Sequence, residues 1–318
     1  MFFSLVCRII ANMNIKYANT VCCRKCLQLS LTVEMMIRFA QLVYPNYDIY
    51  KRTGLKEGMP IPNQNAAERI VADMVKDGYY VDFVEALVRV DREGLMGRRH
   101  ELKGLSNVVS SLISEGYSFD KVSGLFFENQ QKQISHNWGR LKEGDERKMA
   151  VLRIDIAGNS TLVKNNPRQK IEQAYNDLRN IVNQAVTSRL GRLWSWEGDG
   201  AFAAFLFGSA DRMAIYAGME ILHELFFYNR VWNPLKSPIN LRLGAHVGQV
   251  RYSSSELERI KNGTVKEAMV LEALAGNNTL CVSYAMYAPM EQHITDLFSS
   301  EKTARGWKYR LYKMGIEK

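Results

Sequence analysis

Cysteine is scarce in most of this 318-residue chain, and its absence excludes several classes of protein. Four of the five cysteines lie in the first 26 residues, and the fifth is Cys281. A secreted disulfide framework needs paired cysteines throughout the fold, so this pattern predicts a protein of the reducing cytoplasm. Cys23 and Cys26 have the CxxC spacing of a metal site, but no second pair or nearby histidine completes it. We therefore expect no zinc site there.

Long apolar runs and long runs of like charge are also missing. No apolar stretch reaches the roughly 20 residues of a membrane-spanning helix. Residues 1–10 are apolar but lack the basic region and the cleavage site of a signal peptide. The net charge of +9 is compatible with a polyphosphate, nucleic-acid or membrane-surface partner, and equally with a moderately basic soluble protein. Because the positive charge forms no basic arm, we expect no nucleic-acid partner. Because no apolar run is long enough, we expect no membrane span.

Composition and apolar spacing divide the chain into four expected regions. Residues 1–34 differ in composition from the rest of the chain and are expected to be a loose extension, or the product of an upstream start of translation. Residues 35–135 show helical spacing and predict a small all-α regulatory or docking domain. Its predicted helices are 35–44, 65–76, 80–90, 102–113 and 118–131. Residues 136–148 are polar and charged and predict a linker, and residues 149–318 predict a catalytic domain.

The last region predicts an α+β domain in which strands and helices alternate. The predicted elements are a strand at 149–156, a helix at 167–190, a hairpin at 193–205, a helix at 209–228, a strand at 239–247, a return strand at 249–252, a helix in the second half of 256–275, a strand at 280–283, a helix at 284–297 and a strand at 308–313. The order is β-α-β-β-α-β with additions, and Gly248 is interpreted as the turn between two of the strands. This order is typical of a ferredoxin-like sheet with helices on one face.

Two aspartates stand where strands of this predicted domain end. Asp155 closes the first strand and precedes the turn of residues 158–160. Asp199 lies at the tip of the hairpin, where Gly198 and Gly200 leave room for a ligand. Alone, one aspartate is equally well interpreted as a strand-end cap and the other as an ordinary turn residue. Because the first strand neighbours the hairpin in this topology, we expect the two carboxylates to converge.

The surroundings of the two aspartates favour a phosphate and metal ions. Gly158, Asn159 and Ser160 would present backbone N–H groups at a helix N-terminus, which binds anions such as phosphate. Two carboxylates beside such a turn predict a pair of Mg²⁺ or Mn²⁺ ions, because these cations take oxygen ligands and bridge to phosphates. Bound cations also explain how both carboxylates stay ionised side by side.

Three segments of this domain resemble the signatures of class III nucleotidyl cyclases. VLRIDIAGNSTL at 151–162 resembles a strand that ends Asp-Ile-x-Gly-Phe-Thr. WEGDGAFAAF at 196–205 resembles the Gly-Asp hairpin of the family, and LRLGAHVGQV at 241–250 resembles its Arg-x-Gly-x-x-x-Gly segment. The three occur in the family's order and spacing, and the resemblance covers roughly residues 148–315. A diguanylate cyclase is disfavoured, because residues 197–201 do not supply its Gly-Gly-Asp/Glu-Glu-Phe hairpin.

The resemblance implies a mechanism and a partner. Asp155 and Asp199, with the backbone carbonyl of Ile156, would hold two divalent cations per site. One cation would lower the pKa of the ribose 3′-hydroxyl of a nucleoside triphosphate, and the other would neutralise the triphosphate. The 3′-oxygen would then attack the α-phosphorus, and pyrophosphate would leave. Members of the family act as dimers with residues from both chains at each site, so we expect a homodimer.

This chain departs from the family at positions that contact the base and the transition state. Ser195 stands where purine-specific members have a base-reading Lys, and Arg259 falls near their base-reading Asp. Lys266 replaces an Asn, and Val270 replaces an Arg that stabilises the transition state. Lys266, Arg251 and Arg259 are candidates for the missing cation, and Lys266 is our first choice as a catalytic residue.

These departures favour a pyrimidine substrate. An Arg can only donate hydrogen bonds, and uracil offers carbonyl oxygens without an amine, so we expect UTP to be preferred over CTP and ATP. The tryptophan-flanked hairpin also resembles bacterial pyrimidine cyclases of the Pycsar anti-phage system, which make cyclic UMP or cyclic CMP for a downstream effector. Two alternatives remain open: a purine cyclase that uses ATP in signalling, and a catalytically degenerate nucleotide-binding sensor. The second follows from the lost Arg, since such a stabiliser contributes about two to three decades in rate.

Overall fold

The computed structural model describes residues 17–95, 97–129, 135–302 and 308–314. The chain divides into two units, with the boundary between residues 133 and 134. None of the helices in the described part of the chain is both long enough and apolar enough to cross a bilayer.

The first unit is mostly helical. Its elements are α1 (Tyr17–Ser30), α2 (Val33–Val43), α3 (Ile49–Thr53), α4 (Asn63–Lys76), α5 (Tyr80–Glu93), α6 (Leu105–Ser114), β1 (Tyr117–Asp120) and β2 (Leu125–Glu128). The helices predicted at 35–44, 65–76, 80–90 and 102–113 are confirmed as α2, α4, α5 and α6. Their apolar faces form one core, because residues three and four apart lie on the same side of a helix.

A β-hairpin replaces the helix predicted at 118–131, so the expectation of an all-α domain was wrong. Strands β1 and β2 pair antiparallel, with Phe119 opposite Phe126 and their ring centroids 4.8 Å apart. The carboxylate of Asp120 accepts hydrogen bonds from two backbone N–H groups of the turn. Gly124 closes the turn with φ of +74°, a conformation that favours glycine. Local turn chemistry therefore overrides the helical spacing, and residues 130 and 131 lie outside the described residues.

The expectation of a loose N-terminal extension was wrong for residues 17–34, while residues 1–16 lie outside the described part. Helix α1 places Cys23, Cys26 and Leu27 in the core of the first unit. Burial raises the pKa of both thiols, that of Cys26 to about 12. Their depth in the helical core makes these cysteines packing residues, because a buried neutral thiol behaves as a small apolar group.

The second unit is built on one mixed sheet. Its elements are β3 (Glu146–Ala157), α7 (Asn159–Asn165), α8 (Arg168–Thr187), β4 (Arg192–Glu197), β5 (Gly200–Phe205), α9 (Ala210–Val231), β6 (Asn240–Arg251), α10 (Glu256–Ile260), α11 (Gly263–Leu274), β7 (Thr279–Ser283), α12 (Tyr284–Tyr287), α13 (Gln292–Thr295), β8 (Phe298–Lys302) and β9 (Lys308–Lys313). The strand order is β4-β5-β3-β6-β7-β9-β8. Strand β3 pairs antiparallel with β5 and with β6, which confirms the predicted β-α-β-β-α-β arrangement.

Helices cover both faces of this sheet, whereas the sequence predicted helices on one face. Alternate residues of β3, β5 and β6, such as Leu152 and Leu243, pack in one core cluster with α8 and α9. Gly244 lies between two of these core positions and therefore faces the other way. A Cβ on Gly244 would lie 2.1 Å from the backbone nitrogen of Glu272, which places α11 against the opposite face.

Gly248 is not a turn, and β6 runs through it as one strand paired with β3 from end to end. Gly248 pairs with Met149, and a Cβ there would lie 2.5 Å from the hydroxyl of Thr264 at the start of α11. Gly244 and Gly248 are thus required by the close approach of a helix to the sheet. The prediction of a strand, a turn and a return strand was wrong because a glycine needed for packing was interpreted as a turn signal.

The stretch predicted as a linker belongs to the second unit. Strand β3 begins at Glu146, ahead of the predicted strand. Trp138 is fully buried, and its Nε1 donates to the backbone oxygen of Leu190 at 2.7 Å. The Nε1 of Trp194 donates to the backbone oxygen of His136 at 3.0 Å. A polar composition therefore conceals a packed segment anchored by one large aromatic residue.

Smaller differences concern helix ends. The helix predicted in the second half of 256–275 is confirmed as α11, and the short α10 precedes it. The helix predicted at 284–297 is divided into α12 and α13 around Pro289. Proline disrupts a helix because it lacks the backbone donor and clashes with the preceding turn. Strand β8 was not predicted, whereas β7 and β9 were.

Replacement of Gly244 by alanine should loosen the packing of α11. The added methyl would meet backbone atoms of the helix, so we expect the free energy of unfolding to fall by about 2 kcal/mol or more. Urea unfolding followed by tryptophan fluorescence reports on this unit, because all five tryptophans lie between residues 138 and 307. Gly263→Ala is the matched control, since a Cβ there meets nothing within 4 Å. Equal stability of the two variants would contradict this packing.

Candidate active site

The pairing of β3 brings the two predicted aspartates together. Asp155 stands opposite Gly200 of β5 on one side and opposite Arg242 of β6 on the other. The backbone N–H of Ile156 donates to the backbone oxygen of Asp199 at 3.1 Å. Asp155 and Asp199 therefore occupy neighbouring positions where the first strand meets the tip of the hairpin.

Two arginines flank the carboxylate of Asp155, whose side chain is 12% exposed. Arg242 Nη2 lies 2.5 Å from Asp155 Oδ2, and Arg153 Nη2 lies 3.5 Å from Asp155 Oδ1. Arg242 also reaches Glu272 of α11, with 3.0 Å between its Nε and Oε1 of that carboxylate. The hydrogen bond to Asp155 raises the pKa of Arg242. Burial raises the pKa of Glu272, and the nearby charge of Asp155 adds to that effect.

Two side chains from the segments after β3 orient Asp199. Gly158 has φ of +69° and precedes α7. Asn159 Nδ2 donates to Asp199 Oδ2 at 2.9 Å, and the hydroxyl of Tyr175 from α8 donates to Oδ1 of the same amide. Burial raises the pKa of Tyr175, and the charge of Asp199 adds to it, so the phenol stays protonated and keeps its donor role. The relay from Tyr175 through Asn159 fixes the orientation of the Asp199 carboxylate.

The donor set fits a hard divalent cation in kind, because Asp155 and Asp199 supply carboxylate oxygens. Across the described residues, no group of three or more His, Cys, Asp or Glu side chains is arranged to hold a metal ion. The cation would therefore depend on these two carboxylates and main-chain carbonyl oxygens. Formal charges of three carboxylates (Asp155, Asp199 and Glu272) and two guanidinium groups (Arg153 and Arg242) leave the cluster one negative charge. A bound cation would thus compete with the arginines for Asp155.

Arg259, predicted to contact the base, is buried in α10 and bonded to the main chain. Its Nη1 donates to the backbone oxygens of Ser253 and Ser254 at 2.8 and 3.1 Å, and its Nη2 donates to that of Trp194 at 3.1 Å. The guanidinium carbon lies 5.5 Å from the ring centroid of Trp194. Base reading by Arg259 stays a prediction, and it requires the release of at least one of these bonds.

The other predicted residues near the base and the transition state are spread along α11 and β4. Helix α11 runs along β6 so that Thr264 bonds the backbone oxygen of Gln249 while Glu272 reaches Arg242. Lys266 is exposed in the first turns of this helix, at the end away from Glu272. Ser195 follows a bulge in β4.

Two positions were considered for the cation that stabilises the transition state, Val270 and Arg251. Neither places a positive charge beside Asp155 in this structure. Val270 is 47% exposed on α11. Arg251 stands opposite Glu146, at the far end of the β3–β6 pair from Asp155. The roles of Ser160, Ser195 and Lys266 stay predictions.

Four residues of this cluster were not predicted as site residues from the sequence. Arg153 had a signal, because a charged residue two positions before Asp155 in an apolar strand lies on the same face as that carboxylate. Arg242 lies within the segment that resembles the cyclase family. Tyr175 and Glu272 had no sequence signal, since only the packing of α8 and α11 decides which residue of each helix meets the cluster.

Arg259 should be important for stability. Replacement by glutamine would leave several buried backbone oxygens short of donors, so we expect the free energy of unfolding to fall by about 2–4 kcal/mol. Lys261→Gln is the control, because this residue is exposed, pairs with exposed Glu258, and should change stability by less than about 1 kcal/mol. If Arg259→Gln instead kept full stability and changed the preferred nucleotide, Arg259 would be a base-reading residue.

Comparisons with known proteins found matches among solved structures. No family model matches this chain, and no curated protein does. The monomeric guanylyl cyclase domain of the RhoGC fusion protein from Blastocladiella emersonii is 15% identical, and the match covers 54% of this chain and 98% of that one with a TM-score of 0.45. An adenylate/guanylate cyclase/hydrolase from Silicibacter pomeroyi is 20% identical, with coverages of 54% and 99% and a TM-score of 0.45. The adenylyl cyclase CyaB from P. aeruginosa is 16% identical, with coverages of 56% and 100% and a TM-score of 0.46. At this distance, a function for this chain rests on its own residues.

Proposed function

We propose that residues 134–318 form a metal-dependent nucleotidyl cyclase of the class III type, which converts a nucleoside triphosphate to a 3′,5′-cyclic nucleotide and pyrophosphate. One observation carries the proposal: Asp155 and Asp199 occupy neighbouring positions on β3 and the hairpin, and Asn159 from the turn after β3 bonds Asp199. Strand-end carboxylates beside a glycine turn are suited to hold a cation and a phosphate together.

The residues of the chain would act as ligands and orienting groups. Asp155, Asp199 and the carbonyl oxygen of Ile156 would hold one or two Mg²⁺ or Mn²⁺ ions. A bound cation would lower the pKa of the ribose 3′-hydroxyl and offset the charge of the triphosphate. Asn159, fixed by Tyr175, would keep the Asp199 carboxylate in its ligating orientation. The 3′-oxygen would form a bond to the α-phosphorus as the bond from that phosphorus to the pyrophosphate oxygen breaks.

We infer a pyrimidine substrate, UTP before CTP, from two positions. Ser195 stands where purine-specific cyclases have a base-reading Lys. This substitution supports a pyrimidine without any rearrangement of the structure. Arg259 supports it only after release of one of its bonds to the main chain. The remaining parts of the proposal are a homodimer as the active form, a cyclic-nucleotide-binding effector downstream in anti-phage defence, and a cytoplasmic location. The first unit, residues 1–133, would regulate or dock this catalytic unit.

A second function, a nucleotide-binding sensor without turnover, is favoured by the environment of Val270. An apolar, half-exposed residue stands where a cyclase has its stabilising cation. In such a protein the site would bind a triphosphate without cyclising it.

The two functions are separated by incubating the full chain with ATP, GTP, UTP or CTP and Mn²⁺ and measuring cyclic products by mass spectrometry. We expect cyclic UMP as the main product. Binding of a nucleotide without any cyclic product would contradict the enzyme and favour the sensor. A preference for ATP would contradict the pyrimidine inference and leave a purine cyclase.

Removal of either aspartate tests the site itself. We expect Asp155→Asn and Asp199→Asn each to lower the rate of cyclic product formation by at least about 100-fold, because each removes a charged oxygen ligand. Asp296→Asn, which changes an exposed aspartate on the same unit, should retain the full rate. Full activity of either site variant would mean that the metal site lies elsewhere.

A further inference from the structure

The strand that carries Asp155 also carries Arg153, a cation with no role in the proposed reaction. Arg153 lies two residues before Asp155 in β3, so both side chains leave the same face of the sheet. The Arg153 side chain is only 18% exposed. Its guanidinium carbon lies 4.6 Å from the ring centroid of Phe202, the residue paired with it on β5. The arginine is therefore held inside the cluster.

The backbone of β5 makes room for this guanidinium. A Cβ on Gly200, the residue opposite Asp155, would lie 2.1 Å from Arg153 Nη2 and 2.4 Å from its Nη1. Gly200 has no positive φ, so the hairpin does not require glycine there for its backbone conformation. The space beside Asp155 is instead taken by the arginine.

Arg153 has hydrogen-bonding capacity to spare. A guanidinium carries five N–H donors. The Nε of Arg153 is buried and has no hydrogen-bond partner among the described residues. Its Nη1 reaches the backbone oxygen of Ala201 at the long distance of 3.5 Å, and its Nη2 is 3.5 Å from Asp155 Oδ1. Arg242 lies closer to its carboxylates, with its Nη2 2.5 Å from Asp155 and its Nε 3.0 Å from Glu272, although that Nε too makes no hydrogen bond among the described residues.

We propose that Arg153 is an internal counter-ion of the metal site: it occupies Asp155 in the absence of a divalent cation and binds the triphosphate of the nucleotide when a cation takes that carboxylate. The inference rests on the proposed function, because it concerns the same site and the same nucleotide. Arg153 would then be a phosphate-binding cation of the kind that the family has at the position of Val270.

The charge balance gives the proposal two opposite consequences. Removing Arg153 makes the surroundings of Asp155 more negative, so a divalent cation should bind more tightly. The same change removes donors for phosphate oxygens, so a triphosphate should bind less tightly. A residue with a merely structural role would weaken both kinds of binding together when it is lost.

The test measures two dissociation constants on the full chain by isothermal titration calorimetry: that of Mn²⁺ without nucleotide, and that of UTP at saturating Mn²⁺, with the UTP supplied as its 3′-deoxy analogue so that it cannot be cyclised. For Arg153→Met we expect Mn²⁺ to bind about tenfold more tightly and UTP about tenfold more weakly, the size of one charged hydrogen bond. Arg147→Met is the matched control. Arg147 lies on the same strand with the same parity, exposed and about 20 Å away along β3, so both constants should stay unchanged.

A second variant keeps the proposal testable if Arg153→Met does not fold. Gly200→Ala keeps Arg153 but pushes its guanidinium from the space beside Asp155. We expect tighter Mn²⁺ binding in this variant as well. Unchanged constants in both variants, changes in the same direction for Mn²⁺ and UTP, or no binding of either ligand by the unaltered protein would each overturn the proposal.

The failure of this inference and the failure of the proposed function are distinguishable. If the protein forms no cyclic nucleotide, the two binding constants still decide the role of Arg153. If cyclic nucleotide forms but Arg153→Met binds both ligands as the unaltered protein does, the cyclase proposal stands and the counter-ion proposal falls.

Discussion

The antiparallel pairing of β3 with both of its neighbours is the constraint on which the candidate site depends. Because β3 is central, Asp155 has Gly200 on one side and Arg242 on the other, and Ile156 is bonded to the main chain of Asp199. A register shift of one residue in either pair would turn the facing residues to the opposite side of the sheet. The continuous apolar core beneath the sheet resists such a shift, since it would expose every buried residue of the shifted strand.

Charge is concentrated on the face of the sheet that α11 covers. Three carboxylates and two guanidinium groups share this space, and the well-buried carboxylates of Asp155 and Glu272 depend on the arginines, because an unpaired buried charge is costly. Glu272 and Arg242 link the helix to the sheet as well as to the site. A change in the group bound to Asp155 would therefore alter the packing of α11 on the sheet. This helix also carries Lys266 and Val270.

Glycine has a second role in this domain besides forming turns. Gly244 and Gly248 let α11 lie against β6, and Gly200 leaves room for the guanidinium of Arg153. In each case a side chain or a helix occupies the position of the absent Cβ. The same glycines were part of the motif resemblance, so a motif that looks like a set of turns is here a set of close approaches.

The sequence by itself determined the alternation of strands and helices in the second unit, four helices of the first (α2, α4, α5 and α6), and the two strand-end aspartates, because apolar periodicity and turn residues are local properties. It did not determine that residues 17–34 and 135–145 are packed, that residues 117–128 form a hairpin, or that a helix covers the second face of the sheet. Tyr175, Arg242 and Glu272 join the cluster around the aspartates from three different elements, α8, β6 and α11. Only tertiary packing brings such residues together, because the rotation of a helix on a sheet is decided by the whole interface and by no short segment of the chain.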